Sequence, residues 1–206
     1  KTMTPIDFSD FVASEDVRRE SWRRKFGGGS TMAEAEPNAG HLGVLELDRR
    51  GKLNAVITQN VDGLHQKSGI DDGKVIELHG NANYATCLDC HKRFELSEIA
   101  SIFNQNETVP YCDQCGGILK TATISFGQSM PEVPMARSQE AVMSCDLMLA
   151  MGSSLTVYPA AAFPRIAKQN GARLVIINNE PTDLDAVCDL VLHEPIGLTL
   201  AAALNI

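Results

Sequence analysis

Short apolar runs that stop abruptly in polar, turn-forming residues recur along this chain. Ala55 to Gln59 is one, and it empties into Asn60-Val61-Asp62-Gly63. Lys74 to Leu78 is a second and ends at His79-Gly80. Asp146 to Met151 ends at Gly152-Ser153-Ser154, and Arg173 to Ile177 ends at Asn178-Asn179-Glu180-Pro181. Asp189 to Leu192 is the last run. Runs this short, bounded by turn residues, predict buried strands. Helical patterning fills the spaces. Thr4 to Phe26 is charged and helical, with a turn opened at Thr4-Pro5 and a helix start at Ser14-Glu15-Asp16. Pro37 to Arg50 predicts a helix closed by Gly51, and Pro159 to Gln169 one stopped by Asn170-Gly171. Ile196 to Leu204 predicts the last helix. Gly27-Gly28-Gly29-Ser30 predicts a flexible break.

Strands alternating with helices predict an α/β fold with a parallel sheet and right-handed crossovers. The expected architecture is Rossmann-like, with helices on both sheet faces and a helical insertion within about residues 1–50. Residues 87–120 have a different texture of cysteines and turn residues, with little apolar periodicity. They predict a small metal-held module, because so short a segment cannot bury a core of its own. The expected boundaries are 1–86 and 121–206 for the α/β domain and 87–120 for the module.

Composition narrows the function classes. The chain has 206 residues, of which 44% are hydrophobic, enough for one sizeable core with a small annex. Lys plus Arg total 18 and Asp plus Glu total 26, a net charge of −8. An acidic chain is a poor phosphate-backbone binder, which argues against direct nucleic-acid binding. It suits solubility or a basic peptide partner. No apolar run reaches membrane-spanning length and no N-terminal apolar leader segment is present, so the expected compartment is cytoplasmic. In that reducing compartment, six cysteines point to metal or free thiols before disulfides.

Four of those cysteines form Cys87-x-x-Cys90 and Cys112-x-x-Cys115, with 21 residues between the pairs. Each Cys-x-x-Cys turn sets two thiolates on one edge of a tetrahedron, and two such turns close a four-sulfur zinc site. A closed site leaves no open position for water, so the zinc is expected to be structural. Cys145 and Cys188 lie in apolar contexts and are expected to be small buried hydrophobes.

In open parallel sheets, ligands bind beyond the carboxyl ends of the strands. The loops at Gln59-Asn60-Val61-Asp62, Gly152-Ser153-Ser154 and Asn178-Asn179-Glu180 all occupy such positions, which suggests a nucleotide-type ligand. Gly152-Ser153-Ser154 is expected to open a helix, with free N–H groups facing an anion; serine N-capping would explain the same residues without a ligand. Asn178 and Glu180 are placed for ribose hydroxyls, or for a turn before Pro181. His79 ends a strand, where an imidazole of near-neutral pKa can take a proton from a sugar hydroxyl or a water. A packed, backbone-satisfied histidine is the plainer alternative. Asp62 is suited to a carboxamide and Asn60 to a hydroxyl or water, although both also suit the turn at Gly63. His65 is expected to cap or pack. Ile124-Ser125-Phe126-Gly127 is β-like and could offer an edge to an extended peptide. No Gly-x-Gly-x-x-Gly phosphate loop occurs.

Taken in order, these segments resemble the sirtuin family of NAD-dependent protein lysine deacylases. The residues that carry the resemblance are Glu36-Pro37-Asn38-x-Gly40-His41, Thr58-Gln59-Asn60-Val61-Asp62-Gly63-Leu64-His65 and Glu77-Leu78-His79-Gly80. The two cysteine pairs, Phe126-Gly127, Gly152-Ser153-Ser154-Leu155 and Asn178-Asn179-Glu180-Pro181 belong to the same series. The resemblance covers nearly the whole chain and implies a role for each site. His79 would be the general base. Asn60 and Asp62 would hold the nicotinamide end, with Gln59 near the ribose. Gly152, Ser153 and Ser154 would take the diphosphate and ribose, and Asn178 and Glu180 the adenosine ribose. Ile124, Phe126 and Gly127 would line the acyl-lysine tunnel. The implied cofactors are NAD and Zn, and the implied partner is a protein or peptide carrying acetylated lysine. The implied products are free lysine, nicotinamide and O-acyl-ADP-ribose.

The sequence departs from the family pattern at two places. Sirtuins open with a strand, a Gly-Ala-Gly-Ile-Ser loop and a Gly-Ile-Pro-Asp-Phe-Arg segment that grip the diphosphate; these do not occur here, and they are expected ahead of Lys1. The family's Phe-Gly-Glu is Phe126-Gly127-Gln128 in this chain, with Thr121 where proline is common. Succinyl-preferring relatives carry Tyr-x-x-Arg where this chain has Ser21-x-x-Arg24, so acetyl or another uncharged acyl group is expected. Two other readings keep the same residues: a non-catalytic NAD- or peptide-binding zinc module, and an ADP-ribosyltransferase.

Overall fold

The computed structural model describes residues 4–27 and 34–206. Gly28, Gly29 and Ser30 of the expected flexible break lie outside the described residues. In chain order the elements are α1 (Phe8–Ala13), α2 (Glu15–Gly27), α3 (Ala39–Arg49), β1 (Val56–Thr58), α4 (Leu64–Lys67), β2 (Val75–Glu77), β3 (Gly80–Cys87) and β4 (Arg93–Glu95). There follow α5 (Leu96–Phe103), β5 (Leu119–Thr123), α6 (Glu132–Ser144), β6 (Leu147–Met151), α7 (Ala162–Gln169), β7 (Arg173–Ile177), β8 (Leu190–Leu192) and α8 (Ile196–Leu204). They gather in two compact units. The first comprises Lys1–Ala35, Asn60–Gly63 and His79–Met130; the second comprises Glu36–Gln59, Leu64–Leu78 and Pro131–Ile206.

The second unit is the α/β part. β1 pairs with β2 in parallel, Val56 opposite Val75. β6, β7 and β8 form a second parallel group, with Leu147 opposite Arg173 and Val175 opposite Leu190. Every strand pair in this unit is parallel, as the alternation of strand and helix predicts. α3 begins where Asn38 accepts hydrogen bonds from the N–H groups of Gly40 (2.9 Å) and His41 (3.2 Å). The His41 ring returns a bond to the Asn38 N–H, completing a capping box that the sequence reading did not include. The helix ends at Gly51, whose φ of +67° supplies the expected left-handed stop. Its Gly43 lies against α8, where a Cβ would come within 2.8 Å of Leu200. That close approach buries Val44, Leu45, Leu200 and Leu204 together with Ile70, Val75 and Ile177. On another part of the unit, Leu174 and Ile176 of β7 pack with Ala150, Leu155, Ala161 and Leu184.

The first unit holds an antiparallel sheet in the order β4-β3-β5. Ala85, Cys87, Phe94, Ile99, Phe103, Cys112 and Leu119 are buried there around Trp22 of α2. Residues 87–120 therefore share a hydrophobic core with the helical N-terminal segment, in keeping with a stretch too short to bury one by itself. The unit's extent follows different lines from the expected 87–120. The helix start expected at Ser14-Glu15-Asp16 is present: Ser14 separates α1 from α2, its extended backbone capping α1 while its hydroxyl faces the Val17 N–H at 3.4 Å. Two helices, α5 and α6, were not expected. α5 was missed because the cysteine spacing dominated that stretch, although Glu95 and Glu98 cap it reciprocally. α6 has no counterpart among the expected helices; Pro131 and Pro134 occupy its cap and first turn, where no helical N–H bond is lost.

Candidate functional site

Three predicted chemical residues fall in the first unit. Asn60 and Asp62 lie in the segment that follows β1, and His79 follows β2. The two segments are tied together: the Ala82 N–H donates to Val61 O at 2.7 Å, and Asn83 Nδ2 donates to Asp62 O at 2.7 Å. Gly63, with φ of +72°, turns the chain where a Cβ would stand 2.7 Å from Asn83 Nδ2. Asn81 is buried, and its Oδ1 accepts from the Asn83 N–H at 2.8 Å. The sequence reading passed over Asn81 and Asn83; their alternation after His79-Gly80 was the available signal. On its other side, His79 O accepts from the Ile124 N–H at 2.8 Å. His79 thus enters a backbone framework that also holds Ile124.

Ile124, Phe126 and Gly127 follow the end of β5 at Thr123 and turn at Phe126–Gly127, so the expected strand does not extend through them. The segment is held from several sides. Phe126 O accepts from the Phe8 N–H at 2.9 Å, and the Gln128 N–H donates to Ser125 O at 3.0 Å. Gln128 Oε1 accepts from the Ser125 N–H at 3.1 Å, a bond that a glutamate could also accept. The departure from Phe-Gly-Glu therefore leaves this turn intact. The Phe126 side chain is 68% exposed.

The predicted nucleotide residues Gln59, Gly152, Ser153, Ser154, Asn178 and Glu180 all fall in the second unit. Gln59 Nε2 donates to Ser153 Oγ at 3.3 Å, linking the loop after β1 to the loop after β6. Ser153 Oγ also accepts from the Leu155 N–H at 3.2 Å. Gly152 has φ of +62°, and a Cβ there would lie 3.0 Å from Ile196 Cδ1. Asn178 closes the β7 loop by donating from Nδ2 to Glu180 O at 2.7 Å. One expectation fails: Gly152-Ser153-Ser154 does not open a helix, because α7 starts only at Ala162. Leu155 takes a left-handed φ of 56°, so the chain turns before it becomes helical. This loop therefore presents no helix N-terminus to an anion. What remains is a set of small and amide-bearing residues at the carboxyl ends of parallel strands, which suits the sugars and phosphates of a dinucleotide.

His65 packs as expected, its ring 4.8 Å from that of His41. Cys145 and Cys188 are half-buried, and each thiol faces a backbone carbonyl, of Val142 and Asp185 respectively.

Cys87, Cys90, Cys112 and Cys115 bring their four sulfurs within 4.8 Å of one another. Cys87 and Cys115 sulfurs are 3.5 Å apart, and those of Cys90 and Cys112 are 3.6 Å apart. Tetrahedral zinc with bonds of about 2.3 Å requires sulfur separations of about 3.8 Å, so the donor set fits that ion. Each knuckle is shaped by its backbone: His91 N–H donates to Cys87 O at 3.1 Å, and Cys112 N–H donates to Gly117 O at 2.9 Å. His91 sits at φ of 60° to make the first turn. Gly117 leaves room that a Cβ would take from Cys87 Sγ, at 2.8 Å. Lys92 reaches Asp113 at 2.7 Å, joining the two knuckles. Burial acts to raise the Cys87 thiol, but N–H bonds from Cys90 and Asp89 outweigh it and bring the thiol down to about 7. Cys115 receives the Gly117 N–H, yet the Cys90 and Cys87 sulfurs hold it up to about 12. Four sulfurs this close do not ionise together without a cation to share them.

A parallel α/β unit with amide- and serine-bearing loops at its strand ends, together with a four-cysteine module, defines a dinucleotide-binding protein with a structural metal site. A family model described as "Sir2 family" matches residues 2–159, and the chain belongs to that family, the sirtuins. An NAD-dependent protein deacetylase from Rhodopseudomonas palustris is 50% identical over 196 residues, covering 95% of this chain and 78% of that protein. NAD-dependent protein deacetylase 1 from Bradyrhizobium diazoefficiens is 52% identical over 196 residues, covering 95% and 77%. A solved structure of Sir2 bound to acetylated peptide superposes with a TM-score of 0.87 at 31% identity, covering 97% of this chain and 81% of that one. Another, of Sir2 with a p53 peptide and NAD+, gives 0.86 at 32% identity, covering 97% and 80%.

Proposed function

We propose that this chain is an NAD-dependent protein deacetylase acting on acetylated lysine in proteins or peptides. The observation that carries the reading is the backbone bond between Ile124 N–H and His79 O. It joins the one candidate general base to the segment proposed for acyl-lysine. Relatives about half identical to this chain bear the same activity in their names, which supports the reading.

NAD supplies the bond between nicotinamide and ribose whose cleavage exposes an electrophilic sugar carbon to the acetyl oxygen. The chain's own residues do the rest. Asn60 and Asp62 orient the carboxamide and the ribose. Gln59, Gly152, Ser153 and Ser154 receive the ribose and the phosphates, and Asn178 and Glu180 the adenosine ribose. Ile124, Phe126 and Gly127 seat the acetyl-lysine, with apolar Ile124 and Phe126 excluding water from its aliphatic stem. His79 accepts a proton from a ribose hydroxyl as acetyl moves to the sugar. Zinc at Cys87, Cys90, Cys112 and Cys115 would hold the first unit's core in shape and take no part in the chemistry.

Arg24 supports the choice of an uncharged acyl group. Its Nε donates to Glu20 at 2.8 Å and its Nη1 to Thr4 O at 2.7 Å, so both ends of the guanidinium are engaged within the helical segment. No helix among the described residues is long and apolar enough to cross a membrane. None of the six cysteines is paired in a disulfide, which suits a reducing compartment, and we place the protein in the cytoplasm. The test is nicotinamide release from NAD in the presence and absence of an acetyl-lysine peptide. Release that requires the acetylated peptide is expected, with O-acetyl-ADP-ribose formed in equal amount. Release independent of the acetyl group would overturn the reading.

A further inference from the structure

Lys120 is 4% exposed in β5, and among the described residues no carboxylate oxygen lies within 4 Å of its ammonium. A methionine or leucine would fill that volume at lower desolvation cost, so the amine needs another reason to be there. Its surroundings supply one. Nζ donates to Thr123 O, and more weakly to Thr121 O at 3.4 Å. Thr123 is the last residue of β5, paired with Gly80, and the next residue's N–H donates to His79 O. The sheet is irregular here: the register between β3 and β5 shifts between Gly80 and Ala85, where ladder bonds are interrupted.

The same bracket is closed from above by α1. The Phe11 ring covers the ammonium at 6.0 Å, while Phe8, one turn earlier, donates its N–H to Phe126 O. Arg18 fixes the far end of α1 through Phe11 O (3.0 Å) and Val12 O (2.8 Å). One short helix thus touches both the buried lysine and the turn at Phe126. The carbonyl that Lys120 holds, of Thr123, belongs to the same peptide as the Ile124 N–H that donates to His79 O.

We propose that Lys120 is a positioning residue for acyl-lysine binding: its ammonium fixes the end of β5, and through it the Ile124–Gly127 segment and the main chain of His79. The inference rests on the deacetylase reading for its substrate, but its peptide-affinity readout does not depend on turnover. Lys120→Met keeps the stem and removes the donors; Lys120→Arg restores donors with a bulkier head, and Lys120→Gln restores them on a shorter stem. Affinity for a fluorescein-labelled acetyl-lysine peptide is read by anisotropy, and KM for peptide and for NAD separately by nicotinamide release. Lys120→Met is expected to weaken peptide binding about fivefold or more, with KM for NAD within about twofold of wild type. Lys120→Arg or Lys120→Gln is expected to recover at least part of the loss. Each variant's melting temperature and Trp22 emission report whether the core is intact.

Unchanged peptide affinity in a folded Lys120→Met would overturn the inference. So would equal losses of peptide and NAD affinity that track a fall in melting temperature, because these mark a purely structural lysine. Wild type that binds the acetylated peptide but releases no nicotinamide would remove the proposed activity while the affinity ratio still decides the role of Lys120. Wild type that does not bind the peptide at all would remove both.

Discussion

Gly80 and Ala122 meet backbone to backbone: a Cβ at position 80 would stand 1.9 Å from the Ala122 carbonyl oxygen. Gly80 also has φ of +74°, a region that side chains disfavour. Two independent constraints therefore require glycine immediately after His79. They let β3 begin at once, bring β5 alongside, and leave the Ile124 N–H to bond His79 O.

Gly80→Ala is expected to lose about 3 kcal/mol or more, combining left-handed strain with a displaced strand. Urea unfolding measures it, and deacetylation is expected to fall with it. A variant within about 0.5 kcal/mol of wild type would show that β5 moves away from Gly80 at little cost.

His79→Ala removes a side chain without touching that backbone framework. Turnover is expected to fall by about a hundredfold to ten-thousandfold, the usual worth of a positioned base. Melting temperature and zinc content should stay at wild-type values. Retained turnover in a folded variant would assign proton transfer elsewhere.

Zinc removal has a built-in reporter. Trp22 is the chain's single tryptophan, 1% exposed, and it packs in the same core as Cys87 and Cys112. Chelation frees four sulfurs that then repel, and the core that contains two of them is expected to open. Trp22 emission should shift to the red and recover when zinc is restored. Emission that ignores a verified loss of zinc would mean that apolar packing alone holds the first unit.

These cases show what was legible in the sequence. β7 and α8 carry clean apolar patterns and match the predicted spans, and Gly51 and Gly171 stop their helices where turn chemistry says they must. The Cys-x-x-Cys spacing reaches the metal cluster directly, because ligand geometry is encoded locally. α6 was hidden because Ser138 and Val142 are its only fully buried residues, leaving a weak stripe behind two prolines. The core around Trp22 was hidden for another reason. It is assembled from α2, α5 and three strands far apart in sequence, and no local period records such contacts. Lys120 was invisible as a site, since a lone lysine between Leu119 and Thr121 reads as the outward face of a strand.

Acyl choice follows from Arg24. With its guanidinium engaged by Glu20 and the Thr4 carbonyl, and Ser21 where a tyrosine would be needed, a succinyl carboxylate finds no ready partner. Hydrolysis of a succinyl-lysine peptide is expected to run at least about tenfold below that of the acetyl peptide, a difference of about 1.4 kcal/mol. Equal rates would require another cation to meet the carboxylate.

Lys120 also sets a sign for stability against pH. Burial pushes its ammonium down to about 8 from an ordinary 10.5. The neighbours that face it are the Phe11 ring and β5 carbonyls, with no carboxylate within 4 Å among the described residues to oppose the shift. Below pH 8 the folded chain carries the cost of a buried charge. Between about 8 and 10.5 the unfolded chain binds a proton that the folded chain has released, so this residue makes stability rise with pH. Lys25, also lowered by burial, acts in the same direction, and comparing wild type with Lys120→Met cancels its share. The difference in unfolding free energy between the two proteins should therefore move in favour of wild type by about 2–3 kcal/mol from pH 7.5 to 10.5, with zinc kept saturating. Urea unfolding at four pH values across that interval measures it. A difference that stays flat would mean that the ammonium is solvated in the folded state.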